Sequence, residues 1–67
     1  MSSALKHLAA AETELAEAFE HLHRRNNDTQ QTNPHLREAV AACSAALAQV
    51  RRAIGHADQA YATEKAP

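Results

Sequence analysis

Hydrophobic side chains recur along the chain in alternating steps of four and three residues, interrupted once by a polar stretch. In the second half they fall at Leu36, Val40, Cys43, Leu47, Val50, Ile54, Ala57 and Tyr61. In the first half the same spacing runs through Leu5, Leu8, Glu12, Leu15, Phe19 and Leu22. This is a heptad pattern, which keeps one stripe of each helix, here called the seam, facing a partner helix. The chain is therefore predicted to be all-α.

The polar stretch divides the chain into two predicted helices. Residues 26–33 contain no apolar side chain, and their Asn, Asp, Gln and Thr residues favour turns over helix interiors. Asn33 followed by Pro34 is a strong helix start, because a capping side chain precedes a proline at the first helical position. We expect one domain over residues 1–67, with a helix over about 3–25, a loop over about 26–33, a helix over about 34–62 and a frayed tail over about 63–67.

Folding the chain at this loop gives an antiparallel two-helix hairpin whose seams face each other. Alanine recurs at every seventh residue beside the seams, at Ala4, Ala11 and Ala18 and again at Ala39, Ala46, Ala53 and Ala60. These columns widen the apolar stripe beyond what one facing helix can cover. The hairpin is therefore expected to dimerise into a four-helix bundle.

Composition also points to a partner. Hydrophobic residues make up 45% of the 67 residues, but 17 of them are alanines, so few large side chains are available for a core. Chains this small usually gain stability from disulfides, metal or oligomerisation, and the single cysteine, Cys43, excludes an intrachain disulfide. Because Cys43 lies on the seam, we expect it to be a small buried hydrophobe.

The length, the helix–loop–helix plan and the alanine columns resemble the Rop-type plasmid RNA-binding hairpin, which dimerises into a four-helix bundle. The resemblance is one of plan, covers both helices and carries no functional residue over to this chain. The chain also has the size of the small secreted WXG-type proteins, but its loop contains neither Trp nor Gly.

Glu12 places a carboxylate on the seam between Leu8 and Leu15. A buried, unpaired carboxylate is costly, and Arg51 on the opposite helix could pair with it. We interpret Glu12 as a residue that sets helix register or orientation. The alternative is that two symmetry-related Glu12 side chains near a dimer axis share a metal ion or a proton.

The five histidines raise the possibility of a metal site. His21 and His23 point away from each other on a helix, and His35 could approach either of them. No His-x3-His pair occurs within a helix, so we favour solvated surface histidines. No metal-binding residue and no cofactor is predicted.

Arg24, Arg25 and Arg37 gather near the loop and make one tip of the hairpin locally basic. Contact with RNA or DNA phosphates is one interpretation. The net charge of −1, the acidic residues of the first helix and the lack of exposed aromatic side chains argue against it. Arginines at the end of a helix also complement its dipole. We therefore regard nucleic acid as a disfavoured partner.

Several classes of function lack their motifs. There is no Gly-rich phosphate loop and no nucleophile elbow, so neither an enzyme nor a small-molecule substrate is expected and no catalytic residue is predicted. No apolar run approaches the roughly 20 residues that span a bilayer. No membrane partner is expected, and we expect a cytoplasmic protein, with leaderless export as the alternative.

We predict a small helical protein–protein interaction or assembly module, an adaptor or regulator that acts as a homo-oligomer through its seam residues. One alternative is a Rop-like nucleic-acid-binding dimer that uses Arg24, Arg25 and Arg37. Another is half of a heteromeric bundle, completed by a different chain.

Overall fold

The chain forms two helices that pack against each other as an antiparallel hairpin. The computed structural model describes residues 3–65, in which α1 spans Ser3–Asp28 and α2 spans Pro34–Lys65. The predicted all-α hairpin is confirmed. Across the described chain, neither helix combines the length and the apolar character that crossing a bilayer requires.

The two seams lie between the helices. The thiol of Cys43 donates a hydrogen bond to the carbonyl oxygen of Leu15, with sulfur and oxygen 3.6 Å apart. Further along the hairpin, Arg51 of α2 meets Glu12 of α1. Both contacts join residues on or beside the seams, as expected when two heptad patterns are folded against each other.

α1 continues past its predicted end to Asp28. The backbone N–H of Gln30 donates to the carbonyl oxygen of Asn27, and that of Gln31 donates to the carbonyl oxygen of Asn26, both at 2.9 Å. This pair of bonds closes the helix as a Schellman motif. Gln30 and Gln31 have φ values of 56° and 60°, in the left-handed region that glycine usually occupies at this point.

The loop is consequently residues 29–33, shorter than the predicted 26–33. The Thr29 hydroxyl donates to the carbonyl oxygen of Asn26 at 2.9 Å, and the Thr32 hydroxyl donates to that of Thr29 at 2.7 Å. The first of these bonds gives the Asn26 carbonyl, in the last turn of α1, a second donor beside the Gln31 N–H. The polar residues that predict a longer loop therefore act as a cap on α1.

α2 begins at Pro34 behind an asparagine cap. Asn33 Oδ1 accepts hydrogen bonds from the backbone N–H groups of His35 at 2.9 Å and Leu36 at 3.3 Å. These two groups lie in the first turn, where no earlier helical carbonyl is available to them. The cap therefore fixes the point at which the chain turns back along α1.

α2 runs without a break to Lys65, so Thr63 and Glu64 are helical where a frayed tail is predicted. The Thr63 hydroxyl donates to the carbonyl oxygen of Gln59 at 2.8 Å, within the same helix. Gly55 does not interrupt α2, and a methyl group at its Cα would meet open space. Residues 66–67 of the predicted tail lie outside the described residues.

The hairpin is a single layer of helices with little interior. Its Cα atoms span 56 × 15 × 12 Å. Their radius of gyration is 15.7 Å, against about 11 Å for a compact chain of this length. Leu47 is 8% exposed and is the one buried hydrophobic side chain among residues 3–64. The other large seam side chains are half-buried, because only one opposing helix covers them.

The left-handed backbone at the end of α1 predicts that Gln30→Gly stabilises the protein. Glycine adopts this conformation without the strain of a side chain, so we expect the free energy of unfolding to rise by about 0.5–1 kcal/mol. The matched control is Gln59→Gly on the exposed side of α2, which should lower it by about 0.5–1 kcal/mol. Urea denaturation at one fixed protein concentration measures both. Equal destabilisation by the two variants would contradict the role assigned to Gln30.

Candidate assembly surface

The predicted seam residues lie along the contact between the two helices. Leu47 is buried and the remaining members are half-buried. These half-buried members are Leu5, Leu8, Leu15, Phe19 and Leu22 of α1 and Leu36, Val40, Cys43, Val50, Ile54 and Tyr61 of α2. Each retains apolar surface in contact with water, and removing such surface from water is favourable by about 25 cal/mol per Å².

The hairpin has two broad faces, which the heptad positions distinguish. With Leu5 of α1 and Val40 of α2 as position a, position g lies beside position d, and position e lies beside position a. Because the helices run in opposite directions, the g columns of both helices lie on one broad face and the e columns lie on the other. One face therefore combines positions g and d, and the opposite face combines positions e and a.

The face that combines g and d is apolar over residues 4–22 of α1 and 36–60 of α2, and we name it the alanine face. Seven of its eight g positions within the helices are alanine, namely Ala4, Ala11, Ala18, Ala39, Ala46, Ala53 and Ala60, and the eighth is Arg25 near the loop end of α1. Its d positions are Leu8, Leu15, Leu22, Leu36, Cys43, Val50, Ala57 and, near the end of α2, Glu64. Four of the g alanines are half-buried, and Ala4, Ala18 and Ala60 are exposed. Fourteen of these sixteen side chains carry no charge, and the two charged ones, Arg25 and Glu64, lie at opposite ends of the face.

The opposite face, which we name the polar face, mixes apolar and polar residues. Its a positions are Leu5, Glu12, Phe19, Asn26, Val40, Leu47, Ile54 and Tyr61. Its e positions are Ala9, Ala16, His23, Arg37, Ser44, Arg51 and Asp58. Ala16 is half-buried and the other e residues are exposed. The e column therefore remains in contact with water in the hairpin.

The polar face carries the one ion pair between helices in the described chain. Arg51 Nε lies 2.9 Å from Glu12 Oε2. The structure thus brings together the two residues whose pairing the sequence suggests. The Arg51 side chain is 60% exposed and that of Glu12 is 37% exposed. A pair this accessible stabilises the fold by about 1 kcal/mol at most.

The basic tip is partly neutralised. Arg24 forms an ion pair with Glu20 one turn earlier, with Nη2 and Oε1 2.9 Å apart. Arg25 and Arg37 are both exposed. The structure therefore places the three predicted arginines near the loop but directs one of them to a carboxylate of its own helix.

The histidines do not converge. His7, His21, His35 and His56 are exposed, and His23 stacks on Phe19 with ring centroids 5.6 Å apart. Over residues 3–65, no three His, Cys, Asp or Glu side chains form a group that could hold a metal ion. The stack places His23 against an apolar ring of its own helix.

Asn26 is a residue of this surface that sequence reasoning misses. It is 7% exposed, and its Oδ1 is buried with no hydrogen-bond donor within the described chain. The spacing of the sequence could have indicated its burial, because Asn26 comes seven residues after Phe19 and so occupies the next position a of α1. Its turn-forming preference hides that signal, since asparagine next to other polar residues predicts a loop.

No known protein family, curated protein or solved structure matches this chain. Its surfaces comprise one long apolar face with a charged residue at each end, one mixed face with an exposed ion pair, and a tip with three exposed arginines, one of which pairs with Glu20. An apolar face of this length, backed by half-buried large side chains, is suited to binding another helical surface.

The unpartnered oxygen of Asn26 predicts that Asn26→Leu stabilises the hairpin. Leucine is the closest apolar shape and leaves no buried acceptor without a donor, so the free energy of unfolding should rise by about 1–2 kcal/mol. Asn27→Leu is the matched control, because Asn27 is exposed and next in sequence, and its effect should stay within about 0.5 kcal/mol. Thermal melts followed by circular dichroism compare the two. A destabilised Asn26→Leu would mean that the amide has a partner in solution.

Proposed function

We propose that the hairpin is a protein–protein assembly module that works as a homo-oligomer, with two copies forming a four-helix bundle. The observation that carries the proposal is the incomplete core. Eleven large or polarisable seam side chains are only half-buried in one copy, and Leu47 is the one that is buried among the described residues. A second layer of helices would cover these side chains.

The energetics of a small chain support the need for a second layer. Ordering each residue costs about 1–2 kcal/mol of backbone conformational entropy, and burial of apolar surface is the main opposing term. A single layer buries each seam from one side only. The described chain has one cysteine, so no disulfide within a copy compensates for the missing burial.

Symmetry supports a second copy as the partner. Two identical hairpins related by a two-fold axis present the same apolar surface to each other, so every contact is formed twice. The net charge of −1 per chain gives little electrostatic repulsion between copies. The four resulting helices can pack at the shallow angle that is common in bundles.

Sedimentation equilibrium from low to high micromolar concentration tests the proposal. We expect a dimer whose melting temperature rises with protein concentration, because dissociation accompanies unfolding. A monomer with a sharp melt that does not depend on concentration would overturn the proposal. A monomer with poor helicity would instead favour a heteromeric bundle with a different chain.

A gel shift with RNA and with DNA at two salt concentrations tests the nucleic-acid alternative. Binding through Arg25 and Arg37 would weaken steeply as salt rises, because phosphate contacts release counterions. We expect no shift of either nucleic acid.

The buried position of Leu47 predicts that Leu47→Asp abolishes both assembly and most helicity. The charge would be placed at the most buried hydrophobic site, at a cost of about 3 kcal/mol or more. Ala48→Asp is the matched control, since Ala48 is exposed and adjacent, and it should cost only about 0.7 kcal/mol through helix propensity. Sedimentation and circular dichroism provide the readouts. Retention of dimer and helicity in Leu47→Asp would contradict the proposed bundle.

A further inference from the structure

We infer that the alanine face is the surface that a second copy of this chain covers, while the polar face stays in solvent. The inference rests on the proposed function, because it names which of the two broad faces forms the dimer. Two features of the hairpin assign the face and a third indicates that one further copy is enough to cover it. These are the segregation of polar residues, the exposed ion pair and the excess surface area.

Polar residues are segregated onto one broad face. Between residues 4–22 and 36–60 the alanine face has no polar side chain other than the Cys43 thiol, which already donates to the Leu15 carbonyl, and its two charged residues, Arg25 and Glu64, lie at its opposite ends. The polar face carries Glu12, His23, Arg37, Ser44, Arg51 and Asp58 along its length. The centre of a protein interface is depleted of charged residues, whereas the solvated surface carries them. This difference assigns the alanine face to the interface.

The Glu12–Arg51 pair would oppose assembly through the polar face. The Arg51 side chain is 60% exposed and the Glu12 side chain is 37% exposed, so both charges are solvated in the hairpin. Covering them with a second copy would remove that water, and the attraction within an ion pair often fails to offset this desolvation. Covering the alanine face leaves the pair in water.

The surface area matches a second copy of this size. The chain exposes 5173 Å² of accessible surface. A compact folded monomer of 7.3 kDa exposes about 4,200 Å², so the excess is about 1,000 Å². A standard interface buries about 800 Å² on each partner. One additional hairpin is therefore sufficient to cover the excess.

The small side chains of the alanine face favour another copy of the same surface. Alanine at seven of the eight g positions leaves only short side chains along both helices, so a partner helix can approach closely only if its own side chains there are small. A second copy meets this requirement because it carries the same alanines. The apolar d residues then interdigitate across the interface.

Ala18→Gln and Ala9→Gln form a matched pair that tests the assignment. Both alanines are exposed on α1, so the two substitutions have similar effects on the isolated hairpin, but Ala18 lies on the alanine face and Ala9 on the polar face. We expect Ala18→Gln to weaken the dimer by about tenfold or more in sedimentation equilibrium, because a longer polar side chain separates the closely packed helices. Ala9→Gln should leave the dissociation constant within about twofold.

Arg51→Gln provides a second measurement that does not depend on packing. It breaks the exposed pair on the polar face and should leave the dimer affinity within about twofold.

A dimer weakened by Ala9→Gln or Arg51→Gln and not by Ala18→Gln would assign the interface to the polar face. A dimer unaffected by any of the three would also overturn the inference while leaving the homo-oligomer intact. A monomeric wild-type chain would refute the proposed function itself.

Discussion

Burial from one side is the constraint on which the rest of this structure depends. Two helices in contact cover only the line where they meet, and a heptad seam flanked by alanine is wider than that line. Leu47 of α2 is buried in this contact, whereas Leu15 of α1 and Val50 of α2 keep part of their surface in water. The elongated shape has the same cause, because a single helical layer grows in length without gaining an interior.

The ends of the helices depend on local chemistry and need no partner. Asn33 caps α2 with two hydrogen bonds from its own side chain, and the end of α1 is closed by backbone bonds to Gln30 and Gln31. Gln30 and Gln31 adopt left-handed φ angles, although glycine would adopt them with less strain. The turn is therefore specified by residues within the loop, and the relative position of the helices is specified by the seam.

The sequence predicts those parts of the fold that periodicity or capping controls. Heptad spacing indicates both helices, their pairing and the approach of Arg51 to Glu12, and Asn33–Pro34 marks the start of α2. Residues 26–28 show the limit of this reasoning, because their local preference for turns competes with the position of Asn26 on the seam. Tertiary packing decides that competition in favour of the helix, and propensity alone cannot predict it. The alanine columns are visible in the sequence, but only the antiparallel direction of the helices places them on one face.

The polar a positions fit an assembly that uses one face. A carboxylate at the middle of a symmetric four-helix core would need a partner in every copy, and Arg51 supplies that partner from within the same hairpin. Because Arg51 reaches Glu12 from position e, the pair lies on the side away from the alanine face. In the proposed dimer its charges would therefore remain solvated. The same pair makes the polar face unfavourable for burial, so one interaction would both accommodate Glu12 and direct association to the other side of the hairpin.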